Sequence, residues 1–278
     1  MPDSVHPRLT DAETEQYREQ GYVILRGILP AEEIAALQAA VRDLVEAAAT
    51  GRGPEISWIN REKRLPERLG QLLRPDWVRP AFIDSLERGP YFPIAAQILG
   101  VETRYSLFGM LAGGDGKAYV QSWHRDLAPI EGKHELAILE RNSALFTQIN
   151  APLFPDRYLT IVPGSHRRRT TATEREVLAN NPTGEMPGQL TVETEPGDIA
   201  FYYSNLLHRG YNPQGATRWT MHHAFVRADA PVAVHERGQE DWIAQPGYRE
   251  ALPPALRTQM QRYLDAIPAG ESPNIAVG

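Results

Sequence analysis

The sequence contains no cysteine. Disulfides, thiolate metal sites, iron–sulfur clusters and a cysteine nucleophile are therefore excluded, although the compartment is not fixed by this. Long apolar runs are also missing, and no stretch reaches the roughly eighteen residues that a membrane span needs. The opening residues Met1-Pro2-Asp3-Ser4-Val5-His6-Pro7 lack a basic segment followed by an apolar one, so no secretory signal is read. A cytoplasmic protein that does not enter the membrane is expected. Positive charge is scarce as well: 29 Lys and Arg face 35 Asp and Glu, a formal charge of −6. That balance argues against a nucleic-acid partner. The one dense basic run, Arg167-Arg168-Arg169, reads as a solvated loop. No internal repeat and no low-complexity segment is present.

What is there divides by texture. The first hundred residues read as mostly helical. Thr10 and Glu13 have the spacing of a capping box for a helix to about Gln20, stopped by Gly21. Tyr22–Arg26 is a short β-rich run. After Pro30, Ile34, Leu37, Val41, Leu44 and Val45 recur at helical spacing. Gly51-Arg52-Gly53-Pro54 breaks that helix. An irregular stretch from Trp58 and two or three short helices are expected next, the last spanning Tyr91–Leu99.

From Val101 the pattern becomes short β-like runs between turns: Arg104–Leu111, Tyr119–Trp123, Ala144–Ile149, Tyr158–Val162, Leu190–Thr194, Ile199–Tyr203 and Trp219–Val226. Leu252–Ala266 reads as a closing helix. The expectation is a single, mainly β domain with a double-stranded β-helix (jelly-roll, cupin-like) core at 101–228. Residues 1–100 would form a helical buttress and residues 229–278 a C-terminal extension.

The chemically pointed stretch is Val120-Gln121-Ser122-Trp123-His124-Arg125-Asp126. On a strand, residues two apart share a face, so His124 and Asp126 would project together with Ser122, while Gln121, Trp123 and Arg125 turn away. One distant histidine would complete two His and one carboxylate, the facial triad of non-haem iron oxygenases. With eight histidines in the chain, a His-x-Asp pair alone is weak. Five other histidines, His134, His166, His208, His222 and His223, lie in the strand-rich half, with His235 further on. His208 is the preferred third ligand, because it ends the run Ile199–Leu207 and precedes Arg218 by ten residues. An arginine there can grip a carboxylate with two parallel hydrogen bonds.

These residues, together with Gly21-Tyr22-Val23-Ile24, Val162-Pro163-Gly164-Ser165-His166 and Pro196-Gly197-Asp198, make the chain resemble the phytanoyl-CoA dioxygenase family of Fe(II)- and 2-oxoglutarate-dependent oxygenases. The resemblance covers roughly Thr10 to Val226. It implies Fe(II), 2-oxoglutarate and O₂ as cofactors, with His124, Asp126 and His208 as iron ligands and Arg218 on the distal carboxylate of the keto acid. Asn212 sits where the family often has asparagine. Two positions depart from the pattern: Pro155-Asp156-Arg157-Tyr158 stands where the family frequently has Asn-Gly, and Arg209 stands where a small residue is common. The resemblance also implies oxygenation rather than halogenation, since halogenating relatives carry a small residue in place of Asp126.

Hydroxylation of an unactivated C–H of a small polar metabolite or biosynthetic intermediate, with release of succinate and CO₂, is the expected outcome. Tyr119, Gln121, Thr147 and Gln148 are candidates for the near end of the keto acid. Leu127–Ser143 is long and polar enough for a lid. Arg125, Arg209 and the lid cations would favour an anionic substrate. His166, Trp123 and Trp219 read as structural. Two alternatives remain open: a cupin-type metal enzyme that does not use 2-oxoglutarate, and a non-catalytic ligand-binding jelly roll.

Overall fold

The computed structural model describes residues 8–53, 55–60, 65–114, 116–126, 132–142 and 145–267. In chain order the elements are α1 (Asp11–Gln20), β1 (Tyr22–Leu25), α2 (Ala31–Ala49), β2 (Glu55–Asn60), β3 (Leu65–Gly70), α3 (Pro80–Arg88), α4 (Tyr91–Leu99), β4 (Thr103–Gly113) and β5 (Tyr119–Val120). They continue with α5 (Glu135–Asn142), β6 (Phe146–Pro152), β7 (Asp156–Ile161), α6 (Ala172–Asn180), β8 (Leu190–Thr194), β9 (Ile199–Tyr203), β10 (His208–Asn212), β11 (Arg218–Arg227), α7 (Glu240–Ile243) and α8 (Pro254–Ala266).

The strands form two antiparallel sheets. The larger has the order β1-β9-β6-β11-β4-β3-β2 and the smaller β5-β10-β7-β8. Facing each other, they make the jelly roll that the strand pattern predicted, with a cavity between them lined by side chains of both. The outer face of the large sheet is covered by helices. Leu37, Val41 and Leu44 of α2 are buried in one core with Phe82 of α3, Ile94 of α4, and Met260 and Tyr263 of α8. Each such side chain contributes about 2 kcal/mol through its removal from water.

Local signals account for many boundaries. Thr10 and Glu13 close the capping box of α1, and Gly21 ends that helix at φ 84°. Arg104, fully buried on β4, grips Glu236 through Nη1–Oε1 at 2.9 Å and Nη2–Oε2 at 3.0 Å. This pair fixes the segment after β11 against the sheet.

The first hundred residues are less helical than expected. Glu55–Asn60 and Leu65–Gly70 form a hairpin that extends the large sheet beyond β4. The run Ile56-Ser57-Trp58-Ile59 was its available signal, a β-branched and aromatic stretch that the preceding Gly-Pro break disguised. Gly109 makes the docking possible, because a Cβ there would meet the Leu69 carbonyl oxygen at 2.5 Å. His208, expected to end the run Ile199–Leu207, instead begins a strand of its own after β9 stops at Tyr203.

Candidate active site

His124 and His208 are joined by the backbone. The amide of each donates to the carbonyl of the other, at 3.1 and 3.0 Å, which makes them directly opposed residues of neighbouring antiparallel segments. Opposed residues send their side chains to the same face, and the two rings lie 4.4 Å apart. The Asp126 amide donates to the Ser204 carbonyl at 3.1 Å, which turns its carboxylate back toward the pair. One ligand atom from each of His124, Asp126 and His208 then lies within 4.8 Å of the others.

The donor chemistry suits a metal ion. His124 Nδ1 and His208 Nδ1 each lie 2.9 Å from a backbone carbonyl, of Ser122 and Leu206. A carbonyl only accepts, so each Nδ1 carries the proton and each Nε2 presents its lone pair. Those Nε2 atoms are 3.6 and 3.8 Å from the Asp126 carboxylate oxygens. Burial pushes the His208 imidazole down to about 4, against the attraction of Asp126, so it stays neutral and able to ligate near pH 7. Gln148 donates its side-chain amide to Asp126 Oδ2, fixing the carboxylate's orientation.

Around this group is a cavity of about 400 Å³, lined on its apolar side by Leu107, Leu111, Phe146 and Leu159. Arg218, the first residue of β11, lines it and is buried. Its Nε donates to Asp156 Oδ2 at 2.9 Å, and Asp156 also accepts from Thr220 Oγ1 at 2.5 Å and from the Tyr158 amide at 2.8 Å. Asp156 thus positions the guanidinium from the segment where the sequence departs from the family pattern. Asn212 accepts from the Ala216 amide at 3.0 Å and donates to its carbonyl at 2.8 Å, closing the turn that sets where β11 begins.

Several expectations need correction. The segment after Val120 is not a strand, so alternation fails there. Gln121 lines the cavity, accepting from the Gly210 amide and donating to Glu67 Oε1, both at 2.9 Å, while Ser122 is exposed. Thr147 sits on the face of β6 opposite Phe146, Gln148 and Asn150 and does not line the cavity. Its hydroxyl accepts from Tyr17 at 2.8 Å, a structural bond. Tyr119 does line the cavity, lying close over Gly210, where a Cβ would meet its hydroxyl at 2.5 Å.

Arg125 and Arg209 are turned away from any substrate. Arg125 is buried on Glu135 at 2.6 Å and on the Ser165 carbonyl at 2.9 Å. Arg209 is held between the rings of Trp123 and Tyr211, at 4.6 and 4.3 Å. Of the expected lid, 127–131 and 143 lie outside the described residues. The rest carries α5, tied down by Arg125. His166 is off the cavity, stacked on Tyr203 at 4.6 Å, and Trp219 packs on Phe154. His222 shares the cavity with Arg218 and bonds Asn150 Oδ1 through Nδ1 at 2.8 Å. Sequence reading missed Asp156, Asn150, Tyr202, Glu67 and Arg68, whose roles arise from pairing across strands far apart in the chain.

A family model described as phytanoyl-CoA dioxygenase (PhyH) matches residues 17–218. The chain belongs to this family. No curated protein sequence matches it. Among solved structures, AviO1 from Streptomyces viridochromogenes Tue57 is similar with a TM-score of 0.60 at 22% identity, over 79% of this chain and 96% of that one. EctD from S. alaskensis, crystallised with 2-oxoglutarate and 5-hydroxyectoine, gives 0.62 at 16% identity over 92% and 89%. The epimerase SnoN, in complex with Fe³⁺, α-ketoglutarate and nogalamycin RO, gives 0.57 at 19% over 85% and 90%. At these identities the likeness to all three is one of fold. None of the described helices is long and apolar enough to cross a membrane.

Proposed function

We propose that the protein is an Fe(II)- and 2-oxoglutarate-dependent dioxygenase that hydroxylates an unactivated C–H of a small polar metabolite. The observation that carries this is the convergence of three donors within 4.8 Å, both imidazoles holding Nε2 free, in one cavity with a buried arginine. His124 Nε2, Asp126 and His208 Nε2 would hold the iron, a set that leaves three coordination positions for other donors. When bound, iron and 2-oxoglutarate supply the oxidising chemistry: keto acid, O₂ and R–H become succinate, CO₂ and R–OH.

The chain's own residues do the rest. Arg218, oriented by Asp156, binds the distal carboxylate of the keto acid as a fork. Tyr119, placed within reach of the charge of Arg218, joins it on the co-substrate. Gln148 holds Asp126 in position, and the Leu107, Leu111, Phe146 and Leu159 side chains keep water from the reacting carbon. Arg218 in the cavity favours this reading over a cupin-type enzyme, which needs no keto-acid anchor. The metal site supports it over a non-catalytic jelly roll. The described residues act as one oxygenase domain, working in the cytoplasm on a small-molecule substrate.

The test is anaerobic addition of Fe(II) and 2-oxoglutarate. Wild type should develop the weak visible charge-transfer band of the chelated keto acid. H208A should abolish it, and R218A should shift its half-saturation at least about tenfold upward, as loss of a charge-assisted pair requires. A wild type without the band overturns the oxygenase reading, and an unshifted R218A overturns the anchor.

A further inference from the structure

The cavity holds one more cation than the keto acid accounts for. Arg68, on β3, lines it. Its Nε is buried and has no hydrogen-bond partner. Among the described residues, the other charged groups of the lining are engaged: Arg218 with Asp156, Glu67 with the Gln121 amide, and Asp126 with Gln148. A buried guanidinium nitrogen without an acceptor costs about 1–3 kcal/mol, more for a charged group, so Arg68 stands ready for an acceptor from outside the chain.

Register shows where that acceptor would sit. Arg68 pairs with Leu111 of β4, and Leu111 pairs with Thr220 of β11. Arg68 therefore lies on the row between those of Arg218 and His222, two strands from β11. Its partner on the other side is Ser57 of β2, which also lines the cavity and adds a hydroxyl donor. Gln148, which holds the Asp126 carboxylate, is on β6, three strands from β3, or about 14 Å between backbones before side chains reach inward. The two ends of the cavity are thus occupied by the metal ligands and by Arg68. Arg218 lies in a row of its own.

We infer that Arg68, with Ser57 beside it, is the substrate's anchor, and that the substrate carries an anionic group, a carboxylate or phosphate, at the end remote from the carbon that is oxidised. This rests on the oxygenase reading above and names its substrate class. A planar guanidinium with five donors matches either anion. The assignment replaces Arg125 and Arg209, which do not line the cavity: Arg125 is held on Glu135 and the Ser165 carbonyl, and Arg209 between the rings of Trp123 and Tyr211.

The test uses full-length protein loaded anaerobically with Fe(II) and saturating 2-oxoglutarate. Benzoate against benzamide, and phenyl phosphate against phenol, are titrated in by calorimetry while the charge-transfer band is followed. The expected result is that at least one anion binds about tenfold or more tightly than its neutral partner. R68Q should erase that preference, R68K should keep part of it, and both should leave the keto-acid band in place. The retained band also shows that the variants fold.

Equal binding of both members of each pair, no binding of either anion, or an anion preference that survives R68Q overturns the inference. So does loss of the band in R68Q, which would make Arg68 a keto-acid residue. Absence of the band in wild type instead overturns the oxygenase reading. The same titration on metal-free protein then still reads the anion preference of Arg68.

Discussion

At the scale of single residues, the site depends on partners that neutralise or orient the groups with named roles. Asp156 is one. It is buried, accepts from Arg218, Thr220 and Tyr158, and lies far from all but the last in sequence. Removing it leaves a buried guanidinium unpaired, which costs about 3–5 kcal/mol. D156A should therefore lower the denaturation midpoint and raise the half-saturation of 2-oxoglutarate at least about tenfold, with affinity for the metal unchanged. Thermal unfolding and the charge-transfer titration together check this, and a D156A protein that binds the keto acid normally would show that Asp156 does not position Arg218. The Asp156 role was not legible in the sequence. Arg218 could be picked out from its distance to His208, but no spacing announces a carboxylate that reaches it from β7.

At the scale of elements, the β2–β3 hairpin decides the shape of the far end of the cavity. It docks on β4 where Gly109 lets the Leu69 backbone approach. A methyl group at Gly109 must displace the backbone oxygen rather than a flexible side chain. G109A should cost about 1–3 kcal/mol and shift β3 together with Glu67 and Arg68, weakening anion binding while leaving the keto-acid band intact. Denaturant unfolding and the benzoate titration measure the two effects. An unchanged stability would mean that the hairpin adjusts at no cost. The alternation rule succeeded where strands are long, as on β6, which separates Gln148 and Asn150 from Thr147. It failed after Val120, where β5 has ended and the chain runs irregularly to the His124 bridge.

At the scale of the whole molecule, the core holds histidines that resist protonation. Burial lowers His166 to about 4 and His223 to about 3, the latter stacked on Phe108 at 4.4 Å. An unfolded chain protonates these groups near pH 6.5. Below that value the unfolded state binds more protons than the native one, so stability is full above about 6.5 and falls as pH drops toward 4 and then 3. Each histidine contributes a slope on the order of 1 kcal/mol per pH unit in its window. H223F should flatten the stability profile of metal-free protein between pH 6.5 and 4.5 by about one proton, as read by denaturant titration across that range. An identical profile would mean that His223 already titrates normally.

By itself the sequence determined the chemistry on offer and much of the scaffold. With no thiol present, the metal-ligating side chains are imidazoles and carboxylates, and the periodicity of Leu190–Thr194 and Ile199–Tyr203 set those strands as observed. His124, Asp126, His208 and Arg218 were legible because each sits at a recognisable spacing. Only the tertiary structure decided which groups remain free to act. Arg125, Arg209 and Arg68 are indistinguishable as letters, yet the fold buries the first on Glu135, clamps the second between two aromatic rings and leaves the third in the cavity without an acceptor. Availability of a charge is a property of its partners, and those partners are assembled by strand pairing between residues that the sequence keeps far apart.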